Sequence, residues 1–404
     1  HTRQPRRRFG MMDGPDSGQS IPYWRLSGFY FFYFALLGSW LPYWSLYLEH
    51  LGYGASAIGL LAAVVMLTKV LAPSLWSWVA TLTGRRMAVI RWGAGLATLS
   101  FSAVFYRTDW LWLLWVVAAY SFFWNAVLAQ FEVVTLAHLG RRFARYSQIR
   151  VWGSVGFVLA VVGLGWLIDW THIEYLPFYL LTLLLGILLS SLSVTEKADT
   201  RSPEHKVQDG GSLLPLLRRP EILAFFLSCF LLQVTHGPYY TFFSLYLEDA
   251  GYSTRWIGML WSLGVIAEIG LFLVMHHFMR WFSLRQLLLI SLGAAVLRWG
   301  LTAEYADVWP VLVVAQLLHA ATFGSYHAVA VEFIRRRFGT HQGQGMALYS
   351  GLSFGAGGAV GALLAGAFWS QYPQGTFWGA AVIAFLATSI AWFAMPDKAM
   401  RDLN

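Results

Sequence analysis

Charge is what this sequence has least of. Acidic and basic residues make up 12% of its 404 positions, where a soluble domain carries about 25%. Hydrophobic residues make up 57%, and the mean hydropathy is +0.55. A single soluble core rarely grows beyond ~300 residues, so these figures place the chain among polytopic membrane proteins. Cysteine is nearly absent as well. Cys229 stands alone, which excludes an intrachain disulfide, and its apolar surroundings make it a packing residue. Also missing are a phosphate-binding Walker loop, any His/Cys cluster at metal-ligand spacing and a G-x-S-x-G elbow in a strand–helix setting. No enzyme chemistry, metal or cofactor is therefore expected.

What the chain has instead is long apolar runs. A helix needs about 20 apolar residues to cross a bilayer core. Such runs fall near 24–48, 55–82, 87–106, 110–137, 146–168 and 175–194, then near 221–248, 254–277, 284–302, 309–334, 343–371 and 375–395. The expected fold is all-α, with twelve transmembrane helices in two groups of six. An N-terminal bundle spans 24–194 and a C-terminal bundle spans 221–395. A polar linker over 195–220 joins them, with tails at 1–23 and 396–404. Lys197, Asp199, Arg201, Glu204, Lys206 and Asp209 make the linker the only long polar segment.

The basic residues set the orientation. Arg85, Arg86, Arg141, Arg142, Arg145, Arg335, Arg336 and Arg337 fall on the same side as both tails and the linker. The opposite loops hold only Arg107 and Arg255. The net charge of +8 is thus a topology signal, and nucleic acid is not an expected partner. Both termini are expected in the cytoplasm, with the protein in a bacterial inner membrane. The sequence does not open on Met, and translation is expected to begin at Met11 or Met12. The first apolar run is too long for a cleaved signal and reads as a retained span.

The two groups of six repeat one another. Residues 45–59 read SLYLEHLGYGASAIG and residues 244–258 read SLYLEDAGYSTRWIG, nine matches in fifteen at an offset of 199. Each stretch closes the first helix of its group, turns at Gly-Tyr and opens the second. A second echo links Arg141-Arg142-Phe143 with Arg336-Arg337-Phe338. Parallel six-helix repeats about the membrane normal are the architecture of major facilitator transporters, whose solutes bind near the midplane between the halves. Glycines in the fifth run (Gly153, Gly156, Gly163, Gly165) and in the eleventh (Gly351, Gly355, Gly357, Gly358, Gly361, Gly366) read as close-packing faces.

Against this apolar background the few buried charges stand out. One charge at the bilayer centre costs about 3 kcal/mol on insertion scales. Glu132 and Arg150 flank one basic turn and are expected to meet each other or a substrate across the fourth and fifth helices. Asn125, two turns before Glu132, extends that polar stripe. Lys69 lies mid-helix in the second run, where it meets a substrate carboxylate or pairs with a neighbour. Glu268 and Arg298 each fall about 14 residues into their helices, and His319 about ten, which brings all three near the midplane. Together they suggest a proton relay. His236, Tyr240, Trp40 and Tyr43 would supply aromatic walls to a cleft, although interfacial belts also absorb such residues. His327 falls ~80° from the face of His319 and reads as packing.

Several strings resemble the phenylpropionate permease branch of the major facilitator superfamily, a relative of lactose permease. They are Leu232-Gln233 with His236 and Tyr239-Tyr240; Ala250 to Ser253; Leu260 to Glu268; Leu287 to Ser291; Arg298-Trp299-Gly300; Leu318-His319 with Thr322-Phe323; and Tyr146 to Ser154. The resemblance implies proton-coupled import of a small organic solute such as an aromatic carboxylic acid. It assigns solute contact to Glu132 and Arg150, and coupling to Glu268, Arg298 and His319. Two departures from the pattern matter. The aspartate usual before Gly84-Arg85-Arg86 is replaced by Thr81, and Thr322 stands where lactose permease carries its proton-accepting carboxylate. The proton route must then differ from that relative. An exporter of drugs or metabolites is the alternative within transport, disfavoured because the fifth run lacks the Gly-Pro motif of such exporters. A non-transporting scaffold is the alternative outside it, disfavoured because buried charges serve no purpose there. The expected partners are a small solute, protons and the lipid bilayer.

Overall fold

A computed structural model describes residues 20–140, 142, 145–197 and 213–396. The two tails, Arg141, Phe143 and most of the linker lie outside the described residues, so the expectations placed on them go untested. Within the described residues the chain is helical throughout, as backbone buried in lipid must be. The helices are α1 Tyr23–His50, α2 Ala55–Thr83, α3 Arg86–Ser102, α4 Trp110–Leu139, α5 Tyr146–Trp170 and α6 Leu176–Ser193. After a single turn at Leu214–Leu217 come α7 Pro220–Asp249, α8 Thr254–Trp281 and α9 Leu284–Glu304. Next is α10, made of Trp309–Leu317 and Tyr326–Phe338 around a π turn at Ala320–Ser325. Then α11 comprises Gln342–Tyr349, a π turn at Ser350–Gly357 and Gly358–Phe368, and α12 is Pro373–Ala394. Proline opens α6, α7, α10 and α12, the helical position where its missing N–H costs nothing. Ser283 and Gln286 form a reciprocal cap at the start of α9.

Ten described segments are long and apolar enough to cross a membrane, and the longest, Trp309–Phe368, holds both α10 and α11. Helix α1 is not among them. Its 28 residues are rich in Tyr and Trp, which hydropathy scales score as polar although their rings are apolar. It is nonetheless a buried helix: Phe29, Tyr30, Leu36 and Tyr43 are all fully covered.

The repeat seen in the sequence recurs in the backbone. Gly52 and Gly251 turn at φ 88° and 90°, a region that only glycine enters freely. The N–H of each donates to Glu49 O or Glu248 O at 2.8 Å. The following tyrosine N–H reaches back to Leu48 O at 3.1 Å or Leu247 O at 3.0 Å. Burial raises the hydroxyl pKa of both loop tyrosines, Tyr53 and Tyr252, and a nearby carboxylate, Asp109 or Asp307, adds to it. A second likeness lies at the other end. Arg91 of α3 donates to Val194 O at the end of α6 at 2.7 Å, and Arg285 of α9 donates to Met395 O beyond α12 at 2.6 Å. Both cations satisfy carbonyls that a helix end leaves open.

The first six helices meet the last six along α2–α11, α5–α8 and α1–α7. Close approaches lie deep in the molecule, where a Cβ on Gly355 of α11 would meet Val70 of α2, and at the end where α1–α2, α5–α6, α7–α8 and α11–α12 are connected. A Cβ on Gly59 would fall 2.6 Å from Ala362 O, and one on Gly165 would fall 2.6 Å from Thr254 O. Polar contacts join the same end. Ser56 Oγ donates to Gly366 O at 3.3 Å, Thr254 Oγ1 to Asp169 Oδ1 at 2.6 Å, and Arg255 lies 3.8 Å from Asp169. Most of the glycines expected to pack do so: Gly156 abuts Phe31 O and Gly361 abuts Val234 O. Gly163 faces open space instead.

At the end of α2, Thr81, in the place of the expected aspartate, donates back to Ser77 O of its own helix. Gly84 ends the helix at φ 64°. Arg86 Nη1 then donates to Gln130 Oε1 on α4 at 2.6 Å. The basic turn is thus tied within its own six helices.

Candidate functional site

Two adjoining cavities lie between the helix groups, of about 40 Å³ and 150 Å³. Leu37 and Leu41 of α1, Met66 and Lys69 of α2, and Tyr240 and Thr241 of α7 line both. Trp40, Trp44 and Trp124 wall the smaller one, and Gln233, Phe323 and Phe354 the larger. Among the described residues, Lys69 is the only charged side chain lining either, and no acid lines them. No described acidic group lies within ion-pair distance of its ammonium. Of the two expectations for Lys69, pairing with a neighbour is the one not realised. A larger cavity of about 370 Å³ lies among α7, α11 and α12, but its lining is apolar apart from Tyr372 and Thr376, with no charge.

Asn125, on the helix face it shares with Glu132, reaches across to α2. Its Nδ2 donates to Thr68 Oγ1 at 3.0 Å, and Thr68 in turn donates to Ser121 Oγ at 2.9 Å. This network ties α4 to the residue before Lys69 and so steadies α2 beside the cavity. Tyr43 does not line the cavities either. It is fully buried, its hydroxyl donates to Val161 O, and it fills the space left by Gly165 and Gly258 in the α5–α8 seam. His236 is fully buried on α7. Its Nδ1 lies 2.9 Å from Leu232 O, and its ring stacks near Tyr240 and meets Trp299 edge-on.

Glu132 and Arg150 do not form a direct ion pair. Tyr146 OH donates to Glu132 Oε1 at 3.5 Å. The Arg150 guanidinium lies over two rings of α1, 3.9 Å from the centre of Phe34 and 5.5 Å from that of Tyr30. Its charge acts on two carboxylates, Glu132 in its own six helices and Glu268 in the other six. The three aromatic partners escaped sequence reasoning, yet each had a signal. Tyr30 and Phe34 are four apart on one helix face, and Tyr146 lies one turn before Arg150.

Glu268, His319 and Arg298 do meet, as their depths required. His319 Nε2 lies 3.4 Å from Glu268 Oε2. Arg298 Nη1 lies 3.1 Å from His319 Nδ1 and donates to Thr322 Oγ1 at 2.9 Å. Arg298 is wholly buried, and its cationic plane is flanked by Tyr239 at 4.3 Å and Trp299 at 4.4 Å. Tyr239 OH donates in turn to Gln316 Oε1 at 3.0 Å, a partner that no spacing or motif singled out. Thr322, at the missing carboxylate's position, accepts from the arginine.

His327 is nearer this cluster than helical spacing allowed. The rings of His319, Phe323 and His327 form one stack, with centres 5.4 Å and 6.5 Å apart. The π turn at Ala320–Ser325 explains the difference. Each π residue turns by less than the ~100° of an α residue, so the offset expected between the two histidines is taken up.

These features can be set beside known proteins. The model of the MFS_1 like family matches residues 23–380. A probable 3-phenylpropionic acid transporter of Escherichia coli (strain K12) is 31% identical over 363 residues, covering 89% of this chain and 94% of that relative. Maltose permease of Geobacillus stearothermophilus is 26% identical, covering 81% of this chain and 83% of the permease. Among solved structures, the nucleoside transporter NupG superposes with a TM-score of 0.75 at 18% identity, over 92% of this chain and 98% of NupG. That last likeness speaks for the fold alone.

Proposed function

The chain belongs to the MFS_1 like family of the major facilitator superfamily, and from that premise we propose that it imports an aromatic carboxylic acid together with a proton, by alternating access. As a member of that family it is a membrane-embedded secondary transporter of small solutes and not an enzyme. The substrate reading is carried by Lys69, a lone cation shared by two adjoining cavities whose walls include Trp40, Trp44, Trp124 and Tyr240. Leaving such a charge unpaired away from water is costly. A flat, apolar body ending in a carboxylate would supply both the counter-charge and the ring contacts. The relative named for 3-phenylpropionic acid supports a solute of this shape.

Glu132 and Arg150 complete the solute site from the other side of α1, and Glu268, His319 and Arg298 form the coupling site. Proton and solute sites then share free energy, and each must change the other's affinity equally. With the basic loops in the cytoplasm, the end joined by Gly59, Gly165 and Asp169 is the outer one, and this conformation is closed to the outside.

The test is proton movement by the purified protein in liposomes, read with a panel of aromatic and aliphatic carboxylates and their neutral amides. Aromatic carboxylates should drive proton uptake and their amides should not. Transport of the acids with no proton movement would overturn the coupling, and transport of the amides alone would overturn the choice of solute.

A further inference from the structure

Arg298 presents one nitrogen to two neighbours. Nη1 is 2.9 Å from Thr322 Oγ1 and 3.1 Å from His319 Nδ1. A guanidinium carries donors only and keeps its charge. The histidine nitrogen at that distance must therefore accept, and it carries no hydrogen. The ring's single hydrogen then sits on Nε2, which faces Glu268 Oε2 at 3.4 Å. A charged imidazolium against a carboxylate would close to about 2.7–2.9 Å, so the longer spacing fits a neutral ring. Adding a proton at Nδ1 would set N–H against N–H beside an arginine that has no route to solvent.

We infer that Arg298 locks His319 in its neutral form with the hydrogen on Nε2, so that Glu268 carries the coupled proton and His319 is a positioning residue that holds it. This rests on the proton-coupled reading above and divides the roles within that site. Glu268 is the one described carboxylate in contact with His319. One of its oxygens accepts from Nε2 and the other is left to take or release the proton. The groups around the pair come from every neighbouring helix. Arg150 of α5 and His327 of α10 act on Glu268, and Tyr239 and Tyr240 of α7 feel its charge. Arg298 of α9 and His236 of α7 face the histidine. Of these, Arg150 alone belongs to the first six helices. Its approach to Glu268 must change when the two groups move apart, which links the proton to the conformation.

Two measurements on the full-length protein test this without any solute. The first is the nitrogen spectrum of histidine-labelled protein, with His319 assigned by its loss in His319→Gln or by its contact to labelled arginine. The expected result is one unprotonated Nδ1 and one protonated Nε2, unchanged from about pH 5 to about pH 8, where a free histidine would titrate. Conversion to imidazolium within that range overturns the lock. The second is infrared difference spectroscopy across the same range. Wild type minus Glu268→Gln should contain one carboxyl band that disappears as pH rises, and His319→Gln should retain that band. If Glu268→Gln loses no pH-dependent band, Glu268 is not the carrier. Failure of the aromatic-acid reading would leave both spectra as expected, so the two ideas fail separately.

Discussion

Each group of six helices holds one charged cluster, and the two are finished to different degrees. In the first group, Arg150 rests on the faces of Phe34 and Tyr30 and pairs with no carboxylate directly, while Glu132 meets only Tyr146. In the second, Glu268, His319, Arg298 and Thr322 form a continuous chain of contacts within 3.4 Å. An arginine lying on aromatic faces keeps its planar fork of donors free for a bidentate partner. Arg298 also lies between two rings and leaves Nε and Nη2 without partners among the described residues, but its Nη1 already joins His319 to Thr322, so a change at one end of that chain must be answered at the other. The first arrangement suits a visiting solute. The second suits a change of protonation.

The sharpest way to break this contrast is at the closed chain. Glu268→Gln should abolish accumulation of a labelled solute driven by a pH gradient in proteoliposomes, while solute exchange persists. Retained accumulation would return the proton to another group, Glu132 first. Next comes the open pair. Arg150→Lys and Glu132→Gln should each lower uptake about a hundredfold, the upper end of the ~1.5–3 kcal/mol that a hydrogen bond to a charged group contributes, since lysine lacks the planar fork of donors. Exchange should fall as far as net uptake, unlike in Glu268→Gln. Lys69→Gln should be milder, raising KM for the carboxylate about tenfold or more, as expected for a charged hydrogen bond of ~1.5–3 kcal/mol. Asp169→Asn probes the outer seam. Its ion pair with Arg255 is partly exposed and contributes about 1 kcal/mol or less, so labelling of a cysteine near the seam should rise by a factor of about five at most.

Much of the fold was legible because bilayer physics leaves few choices. Apolar runs of the right length become helices, and the Gly-Tyr repeat marks two equivalent turns. Depth along a helix was legible too, which is why Glu268, Arg298 and His319 could be expected to meet. Rotation about a helix axis was not. Tyr43 is one position from the cavity-lining Trp44, yet it faces the α5–α8 seam. Asn125 shares a helix face with Glu132 but bonds Thr68 on α2. Spacing gives the face of a residue, and only the neighbours decide what that face meets. The π turns were hidden for a different reason. They change backbone hydrogen bonding without any characteristic residue, and Ala320–Ser325 reads as an ordinary stretch of small side chains around Phe323.

That π turn acts as a vernier set into α10. It amounts to one surplus residue in an α-helix, and removing Ala320 or Ala321 would restore ordinary winding. The half of α10 before the deletion would then swing by about 100° relative to the half after it. His319 would leave Arg298, or Phe323 and His327 would leave the stack, although no side chain at the cluster had been altered. The hydrogen bond on which the histidine's tautomer depends is therefore set by a count of residues, and a deletion here would do more harm than most substitutions.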